Sequence, residues 1–257
     1  MAIPEEELGV TGRVSGAALV VAALLAGGCG GGSKKPAASA TSSSVIATTT
    51  TVSPPATTTT PAADQAHAAA LVLQQSDLPA GWSATPHQKT PTEDADSQQL
   101  AACVGAPDPA TAYTTNLDGP DLDMGDAAVS SSVDFVRTPA LAQADLAALR
   151  GAKFAPCVKT FATASLQREI QTSAGTTLEG VTLDPLAVAS IGDASLAIRL
   201  IGSLRVQAQT VAVYVDLVFV LKGRAEVTAS FTRSAQPFDA VLERSLVAKL
   251  RDKLRTV

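Results

Sequence analysis

The sequence predicts an α+β fold, in which helices pack on an antiparallel β-sheet. Two observations support this prediction. In the C-terminal third, apolar and polar residues alternate within successive segments, and short turns that contain Gly separate these segments, as expected for strands joined by hairpins. Segments of helical composition precede and follow the strands instead of alternating with them, which is typical of α+β proteins and not of parallel α/β sheets.

We place four strands in this region, at residues 178–188, 194–201, 210–221 and 224–232. Gly202 and Ser203 are interpreted as a turn that ends the second strand. The strand at 210–221 is apolar on both faces, so we expect it to be central, with a helix over its second face. One face of the last strand carries only polar residues, from Arg224 to Ser230, and we expect that face to be exposed to solvent.

The helices are predicted from their composition and from the residues at their ends. Pro61 and Pro139 stand where proline is favoured, in the first turn, and Gly105 and Gly151 follow the last turn. We place helices at 62–74, 94–104, 139–149 and 154–170, and a further strand at 126–136. A last helix beginning at Pro237 carries a large apolar residue at every fourth position, which forms a stripe to be buried: Phe238, Leu242, Leu246, Leu250 and Leu254.

The first 28 residues are predicted to be a lipoprotein signal peptide. Val14 to Ala26 form an apolar run of thirteen residues, which fits a secretory signal and is too short to span a membrane. The small residues between Leu25 and Cys29 resemble the lipobox of bacterial lipoprotein precursors, although those precursors usually have Leu where this chain has Ala26. The resemblance implies that Cys29 is lipidated and becomes the first residue of the mature chain. An ordinary signal peptide with an incidental Cys29 is the alternative.

The remaining chain divides into a tether and one domain. Residues 29–61 are rich in Gly, Ser, Thr and Pro and are predicted to be a disordered tether. Residues 62–257 are predicted to form a single α+β domain. A lipid on Cys29 would hold this domain at the outer face of the cell membrane. The net charge of -5 and the lack of a basic stripe argue against a nucleic-acid partner.

Cys103 and Cys157 remain as a pair once Cys29 is lipidated. In an exported protein an even number of cysteines favours a disulfide, so we predict that these two are bonded. A metal site that uses both cysteines and two free buried thiols are the alternatives, but the sequence shows neither a CxxC motif nor a nearby His.

No sequence motif points to catalysis or to a cofactor. Patterns of the GxSxG, phosphate-loop, HExxH and dinucleotide-binding kinds are absent from the sequence, so we predict no catalytic residue, no cofactor and no metal. The two histidines, His67 and His87, are expected at the surface. A loop rich in Gly and Pro carries four aspartates without the ligand order of a calcium-binding loop, and we expect it to be solvated: Asp118, Asp121, Asp123 and Asp126.

Four residues are predicted to line a groove. Tyr214 and Asp216 project from the same face of the strand at 210–221, and Arg199 on the neighbouring strand is placed to pair with Asp216. A structural ion pair beneath a helix is the alternative for these groups. Trp82 follows a Pro and Gly turn and is either a residue at the mouth of the groove or a residue that closes the core.

Several short motifs resemble those of exported actinobacterial lipoproteins. They are the sequences DLPAGW at 77–82, LAACVG at 100–105, IGD at 191–193 and GRA at 223–225. The chain resembles cell-envelope lipoproteins that are similar to the extracellular sensor domain of mycobacterial receptor kinases, and mycobacterial lipoproteins with a Mog1/PsbP-like fold. The resemblance covers most of residues 62–257. It implies an antiparallel sheet with helices over one face and a groove that binds a ligand or partner.

These expectations describe a non-catalytic, lipid-anchored binding or sensory module of the cell envelope, with an envelope lipid, glycan or protein as its partner. The alternative is a hydrolase or transferase that acts on cell-wall glycan or lipid. Asp216 and Glu226 are its candidate carboxylates, because they lie ten residues apart on paired strands. A separation of about 5 to 9 Å between the two carboxyl groups would favour this alternative.

Overall fold

The computed structural model describes residues 60–90, 92–171 and 173–256. The predicted signal peptide, Cys29 and nearly all of the predicted tether lie outside the described residues. Within the described ranges, no helix has both the length and the apolar character needed to cross a membrane.

The described chain contains six α-helices and eight strands. The N-terminal half contributes α1 (Pro61–Leu71), β1 (Ser83–Thr85), α2 (Glu93–Val104), α3 (Pro109–Ala112), β2 (Tyr113–Asp118), β3 (Asp121–Met124), β4 (Ala127–Val136) and α4 (Pro139–Leu149). The C-terminal half contributes α5 (Phe154–Ile170), β5 (Thr176–Leu186), β6 (Ala194–Val206), β7 (Gln209–Lys222), β8 (Ala225–Ser234) and α6 (Ala240–Lys253).

The strands form one antiparallel sheet in the order β1-β3-β4-β8-β7-β6-β5, and β2 pairs with β4 beside β3. The predicted α+β fold with an antiparallel sheet is therefore confirmed. Strands β6, β7 and β8 follow one another through hairpins. The short turns between them separate the strands in the sequence, which makes the strands predictable.

Apolar residues lie on both faces of the sheet. On one face, α1 and α6 contribute Leu71 and Leu246 to a core with residues of β4 and β8. On the other, α2 and α5 contribute Leu100 and Val158 to a core with residues of β5, β6 and β7. The predicted central strand β7 supplies alternate residues to both cores, as expected. Helices thus pack on both faces of the sheet, whereas the family resemblance implied helices over one face.

The predicted turn at Gly202 and Ser203 is wrong. Both residues lie inside β6, which continues to Val206 and turns at Gln207. A Cβ atom on Gly202 would lie 2.9 Å from Cδ1 of Leu166, so this glycine gives α5 room to pack closely on the strand. A glycine in a strand can mark close packing as well as a turn, and the sequence alone does not separate the two.

The last helix begins at Ala240 instead of Pro237. Asp239 caps it, because its side chain accepts hydrogen bonds from the backbone N–H groups of Val241 and Leu242. The predicted stripe is otherwise confirmed, since Phe238, Leu246, Leu250 and Leu254 are buried and Leu242 packs against the same core.

The prediction that one face of β8 is exposed is also wrong. Thr228, Ser230 and Thr232 are buried on the face that carries α2, α4 and α5, and Ser132 and Asp134 of the neighbouring strand β4 are buried in register with Thr228 and Glu226. The polar row therefore forms part of the interior. This burial brings together the carboxyl groups described below.

A disulfide joins Cys103 of α2 to Cys157 of α5, with 6.0 Å between their Cα atoms. The predicted pairing is confirmed. The bond fixes the helix that carries Leu100 to the helix that carries Phe154, and both residues belong to the same apolar core.

Thiol titration provides a direct test of the bond in solution. The denatured, unreduced Cys29→Ala chain is expected to show no free thiol, and reduction is expected to expose two. Opening a cross-link between residues 54 apart in sequence should lower the free energy of unfolding by about 4 kcal/mol. Two free thiols before reduction would contradict the bond.

Candidate functional site

A pocket lies between the sheet and the helices α2 and α4. Its cavity volume is about 110 Å³, and the space is narrow. Phe219 and Leu221 of β7 and Thr228 of β8 contribute to its sheet side. This volume is below the roughly 300 to 1,000 Å³ of pockets for drug-sized ligands, so the pocket suits a small or slender ligand.

Helical spacing makes the pocket walls apolar. Leu100 and Val104 are four residues apart on α2, and Leu146 and Leu149 are three apart on α4, so each pair lies on one side of its helix. Phe154 at the start of α5 adds an aromatic ring that meets Phe219 edge to face at 6.1 Å between ring centroids. The walls therefore favour an apolar ligand.

Three carboxyl groups stand together in this pocket. Asp134 of β4 and Glu226 of β8 are directly opposite each other in the sheet register, and Asp145 reaches the pocket from α4. Asp134 is 6% exposed and Asp145 is 7% exposed. Nδ2 of Asn116 donates to Oδ1 of Asp134 at 2.7 Å.

Burial controls the protonation of these groups. It raises the pKa of Asp134 to about 8, against the opposing hydrogen bond from Asn116. Burial and the charges of Asp145 and Asp134 raise the pKa of Glu226 to about 10. Burial raises the pKa of Asp145 only to about 6, because its hydrogen bond with Glu226 favours the ionised form. At neutral pH the pocket therefore holds protonated Asp134 and Glu226 beside an ionised Asp145.

The hydrogen-bond partner of Asp145 in the pocket is another carboxyl group, that of Glu226. Oδ2 of Asp145 is buried and accepts no hydrogen bond from an amine, amide or hydroxyl group of the described residues. Buried polar atoms in folded proteins nearly always have a partner, and the hydrogen bond with Glu226 provides one for the carboxyl group of Asp145.

The raised pKa values make the stability of the domain depend on pH. An acid whose pKa is higher in the folded chain than in the unfolded chain stabilises the fold below its unfolded pKa, and this contribution is lost as pH rises through the folded value. We expect stability to fall between about pH 4, where these acids titrate in the unfolded chain, and about pH 10, the pKa of Glu226 in the folded chain. Glu226→Gln should raise the free energy of unfolding at neutral pH by about 2 kcal/mol and flatten this slope.

Thermal melts across this pH range measure the effect. Glu179→Gln is the matched control, since the hydrogen bond from Arg205 lowers the pKa of the exposed Glu179. That variant should keep the wild-type slope. An unchanged slope in Glu226→Gln would show that Glu226 is not buried as described.

The residues predicted for a groove lie elsewhere. Arg199 binds Asp216 through two hydrogen bonds of 2.6 Å, with its guanidinium 5.9 Å from the ring centroid of Tyr214. Asp216 is fully buried and shares its sheet face with Phe231, on the side of α1 and α6. Trp82 is buried against Phe238, at 6.2 Å between ring centroids. None of the four predicted residues lines the pocket, and Arg199 and Asp216 form the ion pair that the sequence left as the alternative.

The carboxylate pair of the hydrolase alternative is not formed. The register of β7 with β8 puts Asp216 opposite Phe231 and Glu226 opposite Leu221, so the two carboxyl groups project from opposite faces of the sheet. That part of the alternative is wrong. The neighbours of Glu226 are Asp134 and Asp145, which no pattern in the sequence singles out.

The four aspartates of the acidic loop do not all meet at one point, because Asp118 and Asp121 both act on His87 and Asp126 does not. Nδ1 of His87 lies 3.1 Å from Oδ1 of Asp121, and Asp126 pairs with Arg233 at 3.2 Å. The hydrogen bond to Asp121 raises the pKa of His87 to about 9. His67 lies against the ring of Phe135. No group of three His, Cys, Asp or Glu side chains within residues 60–90, 92–171 and 173–256 is arranged to hold a metal ion.

Comparison with known proteins finds structural likeness only. No protein-family model and no curated protein matches the chain. The chain is similar to the extracellular domain of PknH from Mycobacterium tuberculosis, with 13% identity and a TM-score of 0.39 over 75% of this chain and 96% of that chain. It is also similar to LpqN, which is involved in cell envelope biogenesis of Mycobacterium tuberculosis, with 17% identity and a TM-score of 0.23 over 68% of this chain and 78% of that chain.

Both proteins are of the kinds that the sequence resemblance named, and the predicted resemblance is confirmed in those terms. The likenesses are distant. The pocket and its carboxyl groups are therefore the main indication of function in the described residues.

Proposed function

We propose that the chain is a lipid-anchored, non-catalytic binding or sensory module at the outer face of the cell membrane, and that its ligand occupies the pocket between the sheet and helices α2 and α4. The pocket itself carries the proposal. It combines apolar walls with a few polar groups at defined positions, which is the usual make-up of a small-molecule site. An envelope lipid fits this pocket better than a glycan, because most of the wall side chains offer no hydrogen bonds.

The anchor supports the proposed location. Cys29 follows the apolar run and small residues of a lipoprotein signal, and the tether at 29–61 would let the domain stand away from the membrane. A ligand in the pocket would then be taken from the envelope or presented to a partner there.

Removing the lipidated residue tests the anchor. Cys29→Ala is expected to release the protein from the membrane or to leave an uncleaved precursor. Acyl chains contribute about 0.8 kcal/mol for each buried methylene, so their loss should abolish stable anchoring. Fractionation and intact-mass measurement report both outcomes. Ser33→Ala, a change in the tether, should behave as wild type, and normal processing of Cys29→Ala with membrane retention would exclude the lipoprotein assignment.

Native mass spectrometry of the Cys29→Ala chain from its own host tests occupancy of the pocket. We expect a co-purifying small molecule, and we expect Ala106→Phe to reduce its occupancy because Ala106 lines the pocket and is half-buried. Ala102→Phe is the matched control, since Ala102 is exposed on α2 and does not line the pocket. Equal occupancy in both variants would place the ligand elsewhere.

A further inference from the structure

The basic residues of the domain are concentrated at its C-terminal helix. Residues 244–255, which run from the second turn of α6 into the short 3-10 turn Leu254–Thr256, contain five basic residues and one acidic residue. Residues 60–243 contain eleven basic and twenty acidic residues. The domain therefore has one positive end on an otherwise acidic molecule, and an anionic surface attracts that end.

Pairing within the fold leaves much of this charge exposed. Lys253 is the exception, because it is half-buried and bonds to Asp77 at 2.7 Å. Arg251 and Arg255 both lie against the carboxylate of Asp252, at 3.1 and 3.4 Å, and their side chains are 45% and 71% exposed. One exposed carboxylate does not neutralise two guanidinium groups, so both arginines remain available to a further anion.

The helix beside this end presents no acid to solvent. Nζ of Lys253 donates to the carbonyl oxygen of Val72 at the end of α1, so α1 and α6 lie side by side on one face of the sheet. The acidic residue of α1, Asp64, is buried and paired with Arg224. The exposed residues of α1 are alanines together with Pro61, Gln65 and His67. An anionic surface that approaches α6 therefore meets no repulsion from α1.

The predicted tether joins the domain on this same side. Thr60 caps the first turn of α1, and α1 has eleven residues, a length of about 16 Å. The tether thus ends roughly one helix length from the basic end of α6. The pocket lies on the opposite face of the sheet, with α2 and α4. Contact of α6 with the membrane would leave the pocket open to the envelope.

We propose that the basic end of α6 docks on anionic phospholipid headgroups of the membrane, through Arg251 and Arg255. The inference rests on the proposed function, because the lipid on Cys29 keeps the domain near that membrane. A guanidinium group binds a phosphate through two parallel hydrogen bonds. The acidic remainder of the domain is repelled by the same headgroups, so docking has one orientation and turns the pocket away from the membrane.

Energy transfer from tryptophan to a labelled lipid tests the docking in the lipidated chain. Trp82 is the only tryptophan of the sequence, and it packs against Phe238 in the core beneath α6. The chain is reconstituted through its lipid into vesicles that contain a dansyl-labelled lipid. The vesicles consist of phosphatidylcholine alone or of an equal mixture with phosphatidylglycerol. Transfer should be higher in the anionic vesicles, and high salt should abolish the difference because it screens the attraction.

A double variant, Arg251→Gln with Arg255→Gln, should remove most of this difference. Each basic residue near an anionic surface strengthens binding roughly five-fold, so the ratio of docked to undocked chain should fall roughly 25-fold. Lys153→Gln with Lys159→Gln is the matched control, since it removes two exposed cations on the opposite face of the sheet and should keep the difference. Both double variants should melt as wild type, because all four side chains are exposed.

The outcomes separate this inference from the proposed function. Transfer in neutral vesicles reports the anchor, and the excess in anionic vesicles reports docking. Equal transfer in the two vesicles, or equal losses in the two double variants, overturns the docking and leaves an anchored binding module. If polyglutamate binds through the same arginines while the excess is absent, the partner is an acidic protein and membrane docking is wrong. Absence of transfer in both vesicles contradicts the anchor itself.

Discussion

Replacing Arg199 by methionine is expected to lower the free energy of unfolding by about 3 to 5 kcal/mol. The change leaves Asp216 fully buried without the guanidinium that now binds both of its carboxylate oxygens. It also leaves Glu243 of α6 beside a second carboxyl group, and burial together with the charge of Asp216 already raises the pKa of Glu243 to about 7. Urea denaturation at neutral pH measures the loss.

Two further variants make the comparison specific. Arg205→Met removes a half-exposed arginine that pairs with Glu179 at 2.6 Å, and it should cost less than about 1 kcal/mol. Asp216→Asn should cost less than Arg199→Met, because Glu243 remains near the guanidinium. If Arg199→Met and Asp216→Asn both leave stability unchanged, the ion pair has no structural role and the predicted groove at Tyr214, Asp216 and Arg199 regains support.

Replacing Leu246 by alanine is expected to cost about 2 to 5 kcal/mol. Leu246 has no exposed surface and lies in the core between α6 and the sheet, so the change opens a cavity. A loss of this size is a large part of the stability of a typical domain and is expected to lower the melting temperature by several degrees.

Val241→Ala is the matched control on the same helix. Val241 is 69% exposed, so its truncation should change stability by less than about 0.5 kcal/mol. Equal losses in the two variants would show that α6 does not pack on the sheet through Leu246.

The sequence predicts most of the large elements because their patterns are long. Strands β4, β7 and β8 are each ten residues or more in length, and the prediction for α5 agrees with the structure at both ends. Short strands have no such pattern. β1 has three residues, all exposed, and β3 has four, so neither gives a periodic signal that the sequence analysis detects.

Most residues of the candidate site could not be predicted from the sequence, for a different reason. An alternating strand shows that two faces differ, but a row of Ser, Thr and acidic residues has the same pattern whether helices or water cover it. Glu226 is therefore predicted to be exposed, with Asp216 as its candidate partner, and no pattern in the sequence singles out Asp134 or Asp145. The pairing of Arg199 with Asp216 was predicted, because opposite charges on neighbouring strands favour each other wherever they lie.

The disulfide between α2 and α5 determines in which cell compartment the pocket reaches its final structure. Besides this bond, α2 is joined to α5 through Leu100 in the shared core and through the ion pair of Asp96 with Arg168 at 2.6 Å. Disulfides form in oxidising compartments, so an exported chain acquires this link only after it has left the cytoplasm. Protein made in a reducing cytosol would have a less constrained pocket wall at Leu100 and Val104. The molecules bound to it would not represent those bound to the exported protein. Ligand searches therefore require material that was oxidised during export.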